Sequence, residues 1–225
     1  MPSIKTTALA GLCALAAFSA VSTAQAGPLP AFGDTVSVTK DTPATRDTAT
    51  ISFAGLPSGQ PLSVYTAPEL LSGTFATTGV LNLLAYCTDL YNYSGSATYT
   101  VGNLTSSHQS NGTSDLSSTQ LNNIGTLINN ANKNPNVDQA ATQLAIWSVE
   151  YGAAFSFTNA SGSTAADEAN YIGVLNGSAP QGVILYQLQS PTTQGFAFVE
   201  PVPEPASMAL LGAGLIGLIV VARRR

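Results

Sequence analysis

Ser117-Ser118-Thr119-Gln120, followed by Leu121, Ile124 and Ile128, marks the point where the hydrophobic period of this chain changes. A Ser three residues ahead of a Gln is a capping box, in which each side chain satisfies the other residue's backbone N–H at a helix start. The apolar residues then recur at helical spacing. Asn134-Pro135-Asn136 interrupts the pattern. A second helix is predicted from about Val137 to Tyr151, with Ala140, Leu144 and Trp147 on one stripe and Gly152 at its end. A third runs from Thr164 to Leu175, closed by Asn176-Gly177.

Either side of this block the period is two. Thr35 to Thr39, Thr48 to Phe53, Leu62 to Tyr65 and Ala97 to Val101 read as half-buried strands before it, punctuated by Gly55, Pro57-Ser58-Gly59, Gly73 and Gly95. Ala154 to Phe157, Val183 to Leu188 and Phe196 to Val199 read as strands after it. Strands, a helical insert, then strands predict an α+β fold, an antiparallel β-sandwich carrying the insert.

The two ends are sorting signals. Residues 1–26 carry Lys5, an apolar run from Ala8 to Val21, and the small-x-small site Ala24-Gln25-Ala26, which predicts a secretory signal helix cleaved before Gly27. Cys13 falls inside that run, and the bulky Leu12 beside it argues against a lipoprotein cysteine. At the other end, Val202-Pro203-Glu204-Pro205 precedes an apolar stretch from Met208 to Ala222 and then Arg223-Arg224-Arg225. Fifteen helical residues span about 22 Å, a short transmembrane helix against a hydrocarbon core of roughly 30 Å. The arginines place its end on the cytoplasmic side. The order Pro-Glu-Pro, apolar helix, basic tail closely resembles the PEP-CTERM sorting signal. That resemblance implies cleavage by an exosortase, after signal peptidase has acted at the other end. It also implies export to the cell surface or biofilm matrix of a Gram-negative bacterium that builds extracellular polysaccharide. The domain plan is therefore 1–26 signal peptide, 27–200 body and 201–225 sorting tail.

Charge is scarce. Only 8 % of the 225 residues are charged, against about 25 % in ordinary soluble domains. Between Gly27 and Glu200 the cations are Lys40, Arg46 and Lys133, facing eleven acids. Nucleic acid is excluded as a partner, because neutralising phosphates needs clustered Lys and Arg. No Gly-rich loop ends in Lys-Ser/Thr, which argues against a phosphate-cradling nucleotide enzyme. One histidine and two cysteines leave no set of metal ligands and no cofactor is expected.

The body keeps a single cysteine, Cys87, in Leu83-Leu84-Ala85-Tyr86-Cys87-Thr88-Asp89-Leu90, a strand-like run entering a polar loop. Free cysteines are commonly small buried hydrophobes, so residue type alone favours an inert role. Gln143, in Thr142-Gln143-Leu144-Ala145-Ile146-Trp147, lies on a strongly apolar helix, where its carboxamide must find partners. A cysteine thiolate held against that carboxamide can expel ammonia and leave a thioester.

Tyr86-Cys87 followed by Thr142-Gln143-x-Ala145-Ile146-Trp147 resembles the bacterial thioester domains of surface adhesins, over roughly Leu62 to Tyr186. The resemblance implies that Cys87 is the thioester sulfur and Gln143 the acyl donor. It implies that Trp147 packs over the bond, that Tyr86 flanks the cysteine, and that Thr142, Ala145 and Ile146 frame the glutamine. Asp89 orients the loop after Cys87 or caps a turn. The expected chemistry is a single self-acylation, not enzyme turnover: an amine or hydroxyl of a surface or matrix target attacks Gln143 and becomes covalently attached. The rival expectation is a structural or polysaccharide-binding matrix protein with an inert Cys87 and a sugar-binding rim built from Tyr86, Tyr91 and Tyr93. A third class pairs Cys87 with His108 in a hydrolase, but Ser106 to Ser110 is polar and aperiodic and predicts a solvated loop.

Overall fold

The structure is a computed structural model and describes residues 30–41, 47–53, 61–75, 79–92, 95–109, 112–134, 136–160 and 162–202. The predicted signal helix with Ala24 and Ala26 lies outside them. So do the predicted transmembrane helix and Pro203, Glu204, Pro205, Arg223, Arg224 and Arg225. Among the described residues no helix is long and apolar enough to cross a membrane.

Among the described residues, eleven strands and three α-helices follow one another as β1 (Thr35–Asp41), β2 (Thr48–Phe53), β3 (Leu62–Tyr65), β4 (Glu69–Phe75), β5 (Gly79–Cys87), β6 (Ala97–Gly102), β7 (Ser106–Gln109), β8 (Gly112–Asp115), α1 (Ser118–Lys133), α2 (Gln139–Tyr151), β9 (Phe155–Thr158), α3 (Thr164–Gly173), β10 (Val183–Gln189) and β11 (Phe196–Pro201). The α+β class and the helical insert are as predicted. The larger antiparallel sheet closes on itself as a six-stranded barrel, β1-β4-β5-β11-β10-β6, and a second sheet, β3-β2-β9, accompanies it. Closure removes the exposed edges that an open sandwich sheet would leave. Eight strands already give an interior only wide enough for side chains. Six strands therefore enclose a packed core, with Val36, Leu71, Ala85, Tyr99, Leu188, Phe196 and Phe198 at 0–1 % exposure.

Two features of the fold escape the period-two reading. Strand β4 reads Glu-Leu-Leu-Ser-Gly-Thr-Phe, and its inward row contains a carboxylate and a glycine. Gly73 is required there: a Cβ would stand 2.6 Å from the Ser37 carbonyl oxygen on β1. The second feature is the hairpin β7-β8, which pairs His108 with Thr113. The predicted loop around His108 is thus a short strand.

The helices begin where local chemistry places them. Ser117 and Gln120 form the reciprocal capping box of α1. Asp138 caps α2, with Oδ1 accepting from the backbone N–H of Ala140 and Ala141, and Oδ2 accepting from Thr164 Oγ1 at the start of α3. Gly152, at φ 58°, ends α2. Helix α1 lays Ile124, Leu127 and Ile128 against Tyr86, Ala197 and Val199 on the outer barrel wall. Helix α2 is apolar almost all round and is buried accordingly. Its Leu144, Trp147 and Tyr151 join the cluster that includes Cys87 and the second sheet, while Ala145 and Ile146 join the cluster under α1. The second sheet is stitched to α2 by aromatics, with Phe53 and Tyr151 ring centroids 4.4 Å apart.

Candidate functional site

Cys87 is the last residue of β5 and lies opposite Phe196 of β11, inside the barrel. The Thr88 N–H donates to the Gly195 carbonyl at 3.0 Å, on the β11 side. Backbone groups alternate along an antiparallel strand, so the N–H and C=O of Cys87 point the other way, toward the side that β4 occupies. The β4 ladder ends at the pair Glu69–Ala85, two residues short of Cys87. Gln143 fills the gap. The Cys87 N–H donates to Gln143 Oε1 at 2.9 Å, and Gln143 Nε2 donates to the Cys87 carbonyl at 2.9 Å. The two residues that sequence reasoning paired are therefore held together, 56 positions apart in the chain.

The setting is dry. Gln143 is fully buried and Cys87 is 5 % exposed. Burial pushes the Cys87 thiol well above its ordinary range, and the Glu69 carboxylate pushes it further. Trp147 lies one turn beyond Gln143, is 1 % exposed, and shares the apolar cluster of Cys87, with Phe155 as its ring neighbour.

The flanking residues divide between the two faces of the wall. Tyr86 points away from the cysteine side chain, into the cluster beneath α1, where its hydroxyl donates to Gln139 Oε1. It flanks Cys87 in sequence only, because successive residues of a strand face opposite ways. Thr142 donates its hydroxyl to the Asp138 carbonyl and does not bond to Gln143. Ala145 and Ile146 pack α2 onto the second cluster. Asp89 closes the turn after β5, its two oxygens accepting from the Tyr91 N–H and Asn92 Nδ2, both at 2.7 Å. Among the three tyrosines expected at a sugar-binding rim, Tyr86 is buried, Tyr91 is half-buried and Tyr93 lies outside the described residues.

Three carboxyl-bearing or cationic residues at this end of the barrel had no signal in the sequence. Lys40 and Glu69 both point inward, joined Nζ to Oε1 at 2.6 Å. Glu69 Oε2 is buried and has no hydrogen-bond partner among the described residues. Glu150, on α2, is 3 % exposed with neither oxygen hydrogen-bonded among the described residues, and burial pushes its carboxyl well above the usual carboxylate range. On the outer side of the wall, a cavity of about 160 Å³ is lined by Thr88, Asp89, Ser106, Gln187, Gln189 and Gly195. Gln187 Nε2 donates to Thr88 Oγ1 there, and Gln189 Nε2 donates to Gln187 Oε1. Among the described residues, no cluster of His, Cys, Asp and Glu could hold a metal ion.

Residues 201–225 match the PEP-CTERM protein-sorting motif. That motif marks an exported protein and implies processing by an exosortase. Of its residues the structure describes Pro201 and Val202, whose N–H donates to the Gly182 carbonyl at 2.8 Å as the chain leaves β11. No curated protein sequence matches the chain. Among solved structures, the N-terminal thioester domain of a surface protein from Clostridium perfringens is similar at 10 % identity, covering 68 % of this chain and 98 % of its own, with a TM-score of 0.40. The N-terminal domain of the pilus tip adhesin Cpa from Streptococcus pyogenes is similar at 15 % identity, covering 73 % and 99 %, with a TM-score of 0.39.

Proposed function

We propose that this chain is an exported protein of the cell surface or extracellular matrix of a Gram-negative bacterium, whose body forms a thioester between Cys87 Sγ and the Gln143 acyl carbon. What supports the reading is the double hydrogen bond between the Gln143 carboxamide and the Cys87 backbone. It brings the acyl carbon to the cysteine and points the Cys87 N–H at the carbonyl oxygen, where negative charge develops when sulfur adds. Water exclusion by the apolar cluster protects the product.

The finished thioester is spent once. An amine or hydroxyl of a surface or matrix polymer or protein attacks the Gln143 carbon, the Cys87 thiolate leaves, and an amide or ester remains. The chain is then a single-use acyl donor with no turnover. Two lysines in the body, one already paired with Glu69, leave few internal amines to consume the bond.

Intact-mass spectrometry tests this. The wild-type chain is expected to be lighter by one ammonia, and Cys87→Ala and Gln143→Ala are each expected to have full mass. A wild-type chain at full mass with one free thiol overturns the reading. The second reading, reversible polysaccharide binding with an inert Cys87, is favoured by the cavity of neutral hydroxyls and carboxamides at Thr88, Gln187 and Gln189. It predicts full mass together with calorimetric binding of oligosaccharides that Gln187→Ala abolishes.

A further inference from the structure

We propose that Glu69 is the proton carrier of bond formation: its Oε2 takes the proton from Cys87 Sγ and passes it to the departing nitrogen of Gln143. The proposal rests on the thioester reading and adds to it the group that makes the step possible. A buried thiol with a raised pKa is a poor nucleophile, and it needs a base beside it.

The barrel places one there. Glu69 faces Ala85 across the β4–β5 ladder, and Cys87 stands two residues farther on the same inward face. Diagonal neighbours of this kind lie about 7–8 Å apart at the backbone, within reach of a long side chain. Lys40, facing Leu71 on β1, comes to Glu69 along the opposite diagonal and holds Oε1 at 2.6 Å. That ion pair keeps a carboxylate inside the barrel and fixes its direction. Oε2, buried and without a hydrogen-bond partner among the described residues, remains to accept a proton.

The other charged groups that act on Cys87 are Lys40, Asp89 and Glu150. Lys40 is a cation. Both oxygens of Asp89 are occupied by Tyr91 and Asn92. Glu150 lies two turns of helix from Gln143, about 10 Å along the axis. Of these groups, Glu69 is the one that the strand ladder carries beside Cys87 with an oxygen still unbonded among the described residues.

The atoms balance. The S–H bond breaks and Oε2 gains the proton. Sulfur bonds to the Gln143 acyl carbon while Oε1 of Gln143, carrying the charge, is held by the Cys87 N–H. The C–N bond then breaks, Glu69 returns the proton to nitrogen, and ammonia leaves. Carboxyl and carboxylate states of Glu69 are restored, and no other reactant is consumed.

The reverse reaction supplies the assay. Concentrated ammonia reopens the bond to thiol and carboxamide in the purified full-length chain. Once ammonia is removed, the mass falls again by one ammonia at a measurable rate. Glu69→Gln is expected to slow this roughly a hundredfold, the usual scale of general acid–base assistance. Its rate should then climb tenfold per pH unit as thiolate supply becomes limiting, while the wild-type rate is level near neutral pH. Glu69→Asp keeps the charge but withdraws the oxygen, so it is expected to slow the reaction and keep the level profile. An unchanged rate in either variant, with the wild type still losing ammonia, overturns the role of Glu69 and leaves the thioester standing. A wild-type chain that never loses ammonia removes both. If Glu69→Gln does not fold by circular dichroism, the Glu69→Asp rate decides.

Discussion

The carboxamide of Gln143 takes the place of a missing strand residue opposite Cys87, donating to its carbonyl and accepting from its N–H where the β4 ladder has already ended. A helix side chain thereby closes the hydrogen bonding of a barrel strand. This explains how a fully buried glutamine is tolerated on so apolar a helix.

Removing that closure exposes its energetic weight. Gln143→Met keeps most of the volume but leaves a buried N–H and C=O without partners, each costing about 1–3 kcal/mol. Denaturation by guanidinium, monitored by far-UV circular dichroism, is expected to show a loss of about 2–6 kcal/mol relative to the thioester-free Cys87→Ala chain.

Glu150 makes the chain less stable as the solution becomes more alkaline. The folded state holds its proton well above 4.5, whereas the unfolded chain releases it near 4.5. Between those two values the folded state binds the extra proton, so stability falls by about 1.4 kcal/mol per pH unit. Glu150→Gln is expected to raise the melting temperature at pH 7, to flatten its decline above pH 5, and to leave it nearly unchanged at pH 4.

Gly73 sets the spacing of β1 and β4. In Gly73→Ala the new methyl meets the Ser37 carbonyl oxygen at 2.6 Å, a backbone atom that cannot swing aside. Overpacking of this kind costs about 1–3 kcal/mol. Thermal unfolding should show a clear drop in midpoint, whereas Gly173→Ala, with open space around it, should show none.

Asp138 joins two helices at one carboxylate. Asp138→Ala removes the α2 cap and the bond from Thr164, a loss of about 1–2 kcal/mol for the cap alone. Hydrogen exchange is expected to speed up in the first turns of both α2 and α3. A Ser117→Ala change at the α1 cap should affect α1 only.

Much of this molecule is written locally. The capping box at Ser117, the glycine end at Gly152 and the alternation from Thr48 to Phe53 are properties of neighbouring residues, and the structure reproduces all three. The juxtaposition of Cys87 with Gln143 was legible through the resemblance of Tyr86-Cys87 and Thr142-Gln143-x-Ala145-Ile146-Trp147 to thioester domains, whereas residue type alone favoured an inert cysteine. Strand β4 was not legible, since Glu69 and Gly73 on its inward row break the apolar alternation by which a strand is recognised. The hairpin carrying His108 was missed because neither of its strands has an apolar face.

The sequence by itself determined the three helices, the cap at Ser117, the sorting motif at the C-terminal end and the chemical identity of the paired residues. Tertiary structure alone decided that the main sheet closes, that Tyr86 and Cys87 face opposite sides of its wall, and that Lys40 and Glu69 meet beside the cysteine. The reason is range. Caps and periods are settled by contacts within a few residues, but the register of β1, β4 and β5 depends on strands brought together across the barrel. Only that register turns a scarce lysine and an inconspicuous glutamate into neighbours of Cys87.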